Sequence, residues 1–485
     1  MPDILPVGLQ DLMHSGQPGL REVDPERIHL FSVLGDRLAL DIASGAVHLL
    51  DEPSWDVLQD VSRGDRGLSQ AIARHGREQV AAVSTEIEEL IQEGVLFSPP
   101  APYPPLDSDV LLKALCLNVS HDCNLRCAYC FAGTGAYGQG RSTMSPAVGR
   151  AAVDFLIEGS RDRSTCEVDF FGGEPLLAMP AVISVVRYAQ RRGHASGKAF
   201  RFTLTTNATL LGQKTVEFLN QNEVQVVLSL DGRRETNDRF RLYPGGKGSH
   251  DDVLRRVQEF IASRGGPASR AVGLPGGPGY YVRGTYTRHN LDFSSDAEYL
   301  LARGIDRFSL EPVVAGPERD YAIKPEHLPA IFAEYERLLA LYMERRQQGA
   351  PFVFYHFEID LTGGPCLHKR MSGCGAGREY LAVSPDGSIY PCHQFDGTPE
   401  FRMGNVLSGP QAINEQGRAI REVFSASTLP SKPQCRECWA RFYCGGGCFH
   451  SAWACNGRLD EPSPVACEIQ RKRLECAIYA QAMKP

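Results

Sequence analysis

The chain has 485 residues, of which 42% are hydrophobic and 22% are charged. This composition supports ordinary buried cores in roughly two to four domains and excludes a disordered or fibrous protein. The net charge is −7, and residues 1–110 alone carry −12. Such an acidic first segment is a poor partner for nucleic-acid phosphates, so we expect no nucleic-acid binding.

No stretch approaches about eighteen consecutive apolar residues, and the first residues lack the basic start of a secretory signal. We therefore expect a cytoplasmic protein with no membrane partner. In that reducing compartment, the fifteen cysteines are not expected to form a disulfide framework. Their clustering in C-x-x-C runs favours metal or iron–sulfur ligation.

The first part of the chain predicts a small α+β domain over residues 1–98. Residues 28–50 alternate apolar and polar side chains around two glycine-containing turns, which predicts a three-stranded antiparallel meander. Apolar residues then recur at intervals of three and four, which predicts three helices. These helices are predicted over residues 54–61, 68–74 and 79–93.

A stiff proline-rich linker over residues 99–110 precedes a longer α/β region over residues 111–345. In that region short β-branched runs alternate with helical ones, which predicts parallel βα units. We expect a partial (β/α)6 barrel, similar to a TIM barrel, with its site at the carboxyl ends of the strands. After the first strand, the next five are predicted at residues 166–173, 200–207, 224–232, 280–288 and 306–314.

A cysteine triplet, Cys123, Cys127 and Cys130, follows the apolar stretch of the first barrel strand. Three thiolates at this spacing can hold three irons of a cubane [4Fe–4S] cluster and leave the fourth iron open. On the motif alone, structural cysteines or part of a zinc site remain alternatives. At this position the triplet resembles the signature of the radical S-adenosylmethionine (SAM) enzymes.

Polar and glycine residues mark the ends of the following strands. The second strand ends in a Gly-Gly-Glu-Pro motif, where the glycines permit a close approach and the carboxylate can accept hydrogen bonds from an ammonium group. Each motif is weak by itself, because these residue types are common in turns. The strand-end residues are Gly172, Gly173, Glu174, Pro175, Thr205, Asn207, Ser229, Asp231 and Arg283.

The radical SAM resemblance gives these residues roles. It implies that Gly172–Pro175 receives the amino group of SAM and that Ser229 and Asp231 contact the ribose hydroxyls. It also implies that the cluster and SAM together produce a 5′-deoxyadenosyl radical, which removes a hydrogen atom from a substrate. Arg283 is expected to contact SAM or the substrate, with an ion pair to Glu311 as the structural alternative.

The last part of the chain, residues 346–485, is a cysteine-rich domain. Cys374 is followed by a Gly-xxxx-Cys pattern that ends at Cys392, and a CxxC-x5-CxxxC run comes later. By spacing alone, such cysteine pairs also suit zinc. The pattern resembles the SPASM domain of radical SAM peptide maturases, which implies two auxiliary [4Fe–4S] clusters and three clusters in all. By this resemblance the first is held by Cys366, Cys374, Cys392 and Cys448, and the second by Cys435, Cys438, Cys444 and Cys467.

Further stretches resemble the maturases of six-cysteine (SCIFF) and related ranthipeptides. They lie at residues 130–135, 168–175, 281–288, 310–315 and 363–366 and in the Tyr-Pro-Cys-His-Gln-Phe segment that ends at Phe395. The resemblance implies intrapeptide thioether formation in a ribosomally made, cysteine-rich precursor. His393, directly after Cys392, is expected either to act as a base or to make a local hydrogen bond. If Cys366 is not a ligand, the first auxiliary cluster has an open iron for a substrate thiolate.

The same resemblance implies partners. Residues 1–98, strands followed by helices in a winged-helix-like order, are similar to the leader-recognition element of peptide-modifying enzymes, in which a leader peptide pairs with a sheet edge; capping the barrel is the alternative. The reducing electron is expected from a ferredoxin or flavodoxin. Two other functions stay open: a SPASM enzyme that oxidises Ser or Cys or forms a carbon–carbon link, and a non-enzymatic zinc or iron–sulfur scaffold that binds peptides.

Overall fold

The computed structural model describes residues 20, 22–100, 102–103, 110–265, 279–361 and 371–484. These residues form two compact units. The first consists of residues 1–104 with the short segments 359–367 and 481–485, and the second contains the rest of the chain. The predicted linker lies largely outside the described residues, as does most of the glycine- and proline-rich segment at 264–279.

The first unit confirms the predicted order of three strands and three helices. Strands β1 to β3 form an antiparallel sheet in chain order, followed by helices α1 to α3. Helix α1 begins where the Asp51 side chain accepts the backbone N–H of Ser54 at 2.9 Å, an ordinary N-cap. The bounds are β1 Ile28–Val33, β2 Asp36–Asp41, β3 Val47–Leu50, α1 Glu52–Ser62, α2 Ser69–His75 and α3 Arg77–Gln92.

Apolar residues on the inner faces of these elements form the core of the first unit. On α3 they recur at Val80, Val83, Ile87 and Ile91, the spacing of one helix face. They pack with Val57, Leu58 and Val61 of α1. The outer edge of β3 pairs with no strand of the described chain, and its Leu49 side chain is 59% exposed.

The second unit is organised around a mixed sheet of ten strands, in the order β10-β9-β8-β7-β6-β5-β4-β11-β12-β13. Neighbouring strands from β4 to β10 are parallel, which confirms the predicted α/β architecture with a central parallel sheet. The parallel strands are β4 Ala114–Ser120, β5 Thr165–Gly172, β6 Ala199–Thr206, β7 Gln225–Ser229, β8 Tyr280–Tyr286, β9 Arg307–Pro312 and β10 Val353–Phe354.

Helices follow the strands as predicted for βα units. One face of β5 is fully buried, whereas the alternate residues are half-buried, as expected for a strand with helices on only one side. The helices of this region are α4 Pro146–Ser160, α5 Met179–Ser196, α6 Gln213–Gln221, α7 Arg234–Phe240, α8 His250–Ser263, α9 Phe293–Ala302 and α10 Leu328–Gln347. Among the described residues, none of the helices combines the length and apolar composition that a membrane crossing requires.

The cysteine-rich segment contributes strands to the same sheet, a feature that the sequence did not predict. β11 pairs in parallel with β4, and β12 and β13 continue the sheet in antiparallel order. The predicted boundary at residue 345, between the α/β region and the cysteine-rich domain, therefore divides strands of one continuous sheet in the second unit. The remaining elements are β11 Tyr380–Val383, β12 Ser388–Tyr390, β13 Gly404–Asn405, α11 Glu415–Ala426, α12 Pro433–Arg436, α13 Arg441–Cys444, α14 Phe449–Asn456 and α15 Pro464–Ala482.

Candidate active site

The cysteine triplet lies in the loop that follows β4, at the carboxyl ends of the parallel strands. All three cysteines are half-buried. Two backbone bonds hold the loop against the end of α7: Arg126 N–H donates to Leu242 at 2.7 Å and Ala128 N–H donates to Phe240 at 3.1 Å. These bonds anchor the backbone of the loop on both sides of Cys127.

Three glycines explain how this loop packs against the end of β5. A Cβ atom on Gly173 would lie 2.3 Å from the Asp122 carbonyl oxygen, and one on Gly172 would lie 2.4 Å from that of Ser120. A Cβ atom on Gly135 would lie 2.7 Å from Cβ of Cys123 and 3.0 Å from Cα of Gly173. The sequence reasoning assigned the two strand-end glycines to close approach of a ligand, but the structure fills the space beside them with the cysteine loop.

Glu174 is buried beneath this loop and has neutral partners. Its carboxylate accepts hydrogen bonds from the Thr206 hydroxyl at 2.7 Å and from the backbone N–H groups of Asn207 and Leu176 at 2.8 and 3.0 Å. Burial raises the pKa of Glu174 to about 7 despite these hydrogen bonds. A buried carboxylate in this state fits an ammonium group, such as the amino group of SAM, as its missing cationic partner.

Asn207 joins the Glu174 site to the cysteine loop. Its side-chain amide donates to the Cys123 sulfur at 3.7 Å and to the Asn124 side chain at 2.9 Å. The predicted neighbour Thr205 is half-buried, and its hydroxyl makes no hydrogen bond within the described chain. The contact with Glu174 is made instead by the next residue, Thr206, which is not among the strand-end residues selected from the sequence.

Asp231 has a structural environment that its predicted role did not include. One carboxylate oxygen accepts the backbone N–H of Thr285 at 2.8 Å. The other lies 2.5 Å from the Tyr129 hydroxyl and 3.0 Å from Nε of Arg241. Because both oxygens are engaged, Asp231 positions the cysteine loop through Tyr129. Ser229 makes no such contacts in the described part of the chain, and its predicted ribose contact stays a prediction.

Arg241 is the positive charge that faces the triplet, and the sequence reasoning missed it. The guanidinium is buried, lies 5.5 Å from the centre of the Tyr129 ring and interacts with the Cys127 thiol. Burial nevertheless raises the pKa of Cys127 to about 11 and that of Cys123 to about 12. A buried thiol of this kind is held as thiolate when a metal supplies positive charge, so these side chains fit cluster ligands.

Arg283 lies on β8, opposite Ser229, with its side chain 48% exposed. Its guanidinium lies 3.9 Å from Glu311, so the ion pair predicted as the structural alternative is present, although the distance is too long for a hydrogen bond. Glu311 lies closer to His356, at 2.7 Å, and 3.6 Å from Arg473 of α15. Burial alone would raise the pKa of Glu311, but these three basic side chains lower it well below its usual range. No motif or spacing in the sequence predicts the positions of His356 and Arg473.

The first predicted auxiliary site is described for three of its four cysteines, because Cys366 lies outside the described residues. Cys374, Cys392 and Cys448 lie close together: the charge of Cys448 raises the pKa of Cys374 and Cys392, and that of Cys374 raises the pKa of Cys392. Burial is the larger cause of the raised pKa values of Cys374 and Cys392. The three side chains therefore form one group, as the SPASM resemblance implies.

His393, next to Cys392, is half-buried and packs against aromatic rings. Its Nδ1 lies 3.1 Å from the Tyr380 hydroxyl, and its ring centre is 4.7 Å from that of Phe171. Burial lowers its pKa to about 3. An imidazole with so low a pKa is a weak proton acceptor, which supports the local hydrogen bond over the base among its two predicted roles.

The second predicted auxiliary site is a cavity of about 140 Å³. A water molecule needs only about 10–15 Å³ by the same measure, so the cavity has room for a group much larger than one ion. All four predicted ligands line it. They are Cys435, Cys438, Cys444 and Cys467.

These arrangements suit cubane clusters better than single zinc ions. Among the described residues, no three His, Cys, Asp or Glu side chains converge around one ion. A cubane binds each thiolate through a different iron, so its ligands surround a volume rather than a point. Lys432, which is 2% exposed and acts electrostatically on Cys374, Cys435 and Cys444, supplies positive charge suited to anionic clusters.

Comparisons with known proteins agree with this geometry. Residues 117–282 match the profile of the radical SAM superfamily, and residues 374–439 match that of the SPASM iron–sulfur cluster-binding domain. The cysteine-type anaerobic sulfatase-maturating enzyme of Clostridium perfringens is 24% identical over 356 residues, which cover 70% of this chain and 88% of that protein. The mycofactocin maturase of Mycolicibacterium smegmatis is 25% identical, over 73% of this chain and 83% of that protein.

The chain contains a radical SAM domain and a SPASM domain, and its relatives support a radical SAM/SPASM peptide maturase. SAM and [4Fe–4S] clusters are the cofactors of such a maturase. The fold of this radical SAM/SPASM maturase resembles a solved structure of anSMEcpe with bound AdoMet and a Cp18Cys peptide. The TM-score is 0.60 at 20% identity, over 77% of this chain and 99% of that one.

Proposed function

We propose that this radical SAM/SPASM maturase joins a cysteine sulfur to a carbon of another residue within a ribosomally made, cysteine-rich peptide. One contact supports a single site for both halves of this reaction. The ring of Phe131, the residue after Cys130, lies 5.7 Å from the ring of His393, the residue after Cys392. The loop of the SAM cluster and that of the first auxiliary site therefore adjoin, so one peptide can reach both.

At the SAM end, the residues of the chain bind and orient. Glu174 would accept the amino group of SAM, and its bonds to Thr206 and Asn207 fix the carboxylate in place. Asn207 also donates to Cys123, so the ammonium site and the cluster loop are held in one orientation. When bound, the cluster and SAM supply a carbon-centred oxidant that removes a hydrogen atom from an unactivated C–H bond.

At the peptide end, Cys374, Cys392 and Cys448 would hold the first auxiliary cluster, with Cys366 as their predicted fourth partner. Arg283, half-exposed and without a hydrogen bond in the described chain, is available to an anionic group of SAM or of the peptide. Overall the peptide loses one C–H and one S–H hydrogen and gains a C–S bond. One hydrogen atom leaves to the SAM-derived nucleoside, and one proton and one electron leave from the thiol side.

The first unit supports a role in peptide recognition. β3 has an open outer edge in the described chain and presents the exposed side chain of Leu49. A leader peptide in extended conformation would add a strand there through main-chain hydrogen bonds. The charge of −12 over residues 1–110 favours a basic leader. The reducing electron would come from a ferredoxin or flavodoxin.

The reaction is tested with protein reconstituted under anaerobic conditions, SAM, dithionite and the cysteine-rich precursor. We expect each bridge to lower the peptide mass by about two units, because two hydrogens leave while the thiol is oxidised. One deoxyadenosine should form per bridge. Treatment with iodoacetamide should then label one cysteine fewer for each bridge.

The alkylation separates thioether formation from the other SPASM chemistries. A carbon–carbon link would also remove two hydrogens but leave every cysteine open to alkylation. A precursor with its cysteines replaced by serine is the matched control and should not lose mass. Release of deoxyadenosine with an unchanged peptide mass would reject the proposed function.

A further inference from the structure

Lys432 is placed between the two predicted auxiliary sites. The turn Gly445–Gly447 joins Cys444 of the second site to Cys448 of the first. All three glycines have positive φ angles of 73°, 90° and 79°, a backbone that other residues rarely adopt. Inside this turn, the Lys432 ammonium donates to the Gly446 carbonyl oxygen at 3.1 Å.

The same turn packs against the chain beside Cys374. A Cβ atom on Gly373 would lie 3.1 Å from the Gly445 carbonyl oxygen and 3.7 Å from that of Gly447. The Lys432 ammonium also lies 4.5 Å from the centre of the Phe449 ring, directly after Cys448. The Lys432 ammonium therefore lies next to the segment that joins the cysteines of the first auxiliary site to those of the second.

The Lys432 ammonium has no carboxylate partner among the described residues. Lys432 is 2% exposed, and no carboxylate of the described residues lies within ion-pair distance. The carboxylate that acts on it from farther away is Asp460, which is already paired with Arg458 at 2.8 Å. A buried ammonium that keeps its charge needs anionic groups nearby, and thiolate-bound clusters provide them.

We propose that Lys432 is a shared cation of the two auxiliary clusters and raises the reduction potential of both. A positive charge stabilises the reduced form of a cluster more than the oxidised form, because the reduced form carries one more negative charge. In a partly buried site, one charge at roughly 10 Å changes such an equilibrium about tenfold. Lys432 would thereby favour uptake of the electron that leaves the peptide. This role does not depend on which bond the maturase forms.

The experiment measures auxiliary-cluster potentials by redox titration followed by electron paramagnetic resonance, without peptide. The full chain with Cys123, Cys127 and Cys130 replaced by alanine serves as background, so that only auxiliary clusters contribute. Lys432→Met should shift both potentials to more negative values by about 59 mV each, which is tenfold for one electron. In Lys432→Arg, the one-electron reduction equilibrium constant of each auxiliary cluster should stay within about twofold of the background value. Lys214→Met, the same substitution at an exposed position of α6, is the matched control and should shift neither potential.

The outcomes are distinguishable. A shift of both potentials in Lys432→Met alone supports the shared cation. Loss of both clusters from Lys432→Met, with retention in Lys432→Arg, also supports it because the charge is then required for both sites. A lowered unfolding temperature with unchanged potentials would assign Lys432 a purely structural role and overturn the proposal. A shift of only one cluster would overturn the shared role.

Discussion

Asp169 is a half-buried carboxyl group on β5, on the same strand face as Glu167 and Phe171. Burial is the main cause that raises its pKa to about 6; the charge of Glu167 adds to this, and a hydrogen bond from Thr203 opposes it. Between about pH 4 and pH 6 the folded chain therefore binds more protons at this position than the unfolded chain. The contribution of Asp169 to stability falls as the pH rises through that window and then stays constant.

Asp169→Asn should remove this dependence. At pH 7 the variant should be more stable than the wild type by about 1–2 kcal/mol, a value reduced from the full shift because the group is partly exposed. Below about pH 6 the advantage should diminish, and it should disappear near pH 4. Thermal unfolding of both proteins from pH 5 to 7.5 measures it, with Asp162→Asn, an exposed position, as the control. A difference that is constant over this range would contradict the assignment.

At the residue scale, the sequence revealed the cysteines but not their surroundings. The spacing of Cys123, Cys127 and Cys130 is local, so it can be read directly from the chain. Arg241 and Lys432 carry no such pattern, because each reaches its cysteines through packing of separate elements. The sequence alone does not distinguish a buried arginine or lysine from a solvent-exposed one. Their roles therefore required the fold.

At the scale of elements, a buried polar network connects β4 to the loop after β12. The Asp396 carboxylate accepts from Asn118 at 2.5 Å and from Ser384 at 2.5 Å, and lies 2.9 Å from Nε2 of His121. Asp396 and Asn118 are both fully buried. The network fastens the cysteine-rich segment to the strand that carries the SAM-cluster loop.

Asp396→Ala should destabilise the second unit by about 3–5 kcal/mol, because it leaves His121, Asn118 and Ser384 buried without their shared acceptor. Asp396→Asn, which retains one acceptor oxygen, should cost less. Thermal unfolding gives both values. The control Asp162→Ala, at an exposed position after α4, should cost under about 1 kcal/mol. Equal effects of Asp162→Ala and Asp396→Ala would show that the network contributes little.

The same elements show where sequence reasoning reaches its limit. The alternation of apolar runs and helical segments predicted β4 to β9, because period and strand order are local properties. The addition of β11 to the edge of β4 was not predictable in this way. It pairs Tyr380 with Ala114, positions far apart in the chain, and β12 and β13 are only three and two residues long. Strands this short carry almost no periodic signal.

At the scale of the whole molecule, the proposed leader recognition and the cysteine-bound cofactors belong to two different compact units. Residues 359–367 and 481–485 are grouped with the first unit although they are distant from it in sequence. A truncation after residue 104 would therefore leave behind parts of that unit. Point substitutions in the edge strand test the leader proposal more cleanly than a deletion does.

Leu49→Lys should weaken binding of the leader peptide about tenfold, because it places a charge on the open edge where the added strand would pack. Fluorescence anisotropy of a labelled leader measures the Kd. Ser32→Lys, at an exposed position of β1 on the other edge of the sheet, adds the same charge. This variant should bind the leader peptide with the same affinity as the wild type. Unchanged affinity of Leu49→Lys, or equal losses in both variants, would exclude recognition at β3.

The contact between Gly135 and Gly173 limits which residues the cysteine loop can contain. A Cβ atom on Gly135 would lie 3.0 Å from Cα of Gly173, so a side chain there would push the loop away from the end of the strand. The same atom would lie 2.7 Å from Cβ of Cys123, so the first cysteine of the triplet would be displaced as well. A graft of this loop into another protein would therefore need Gly135 and Gly173 as well as the three cysteines.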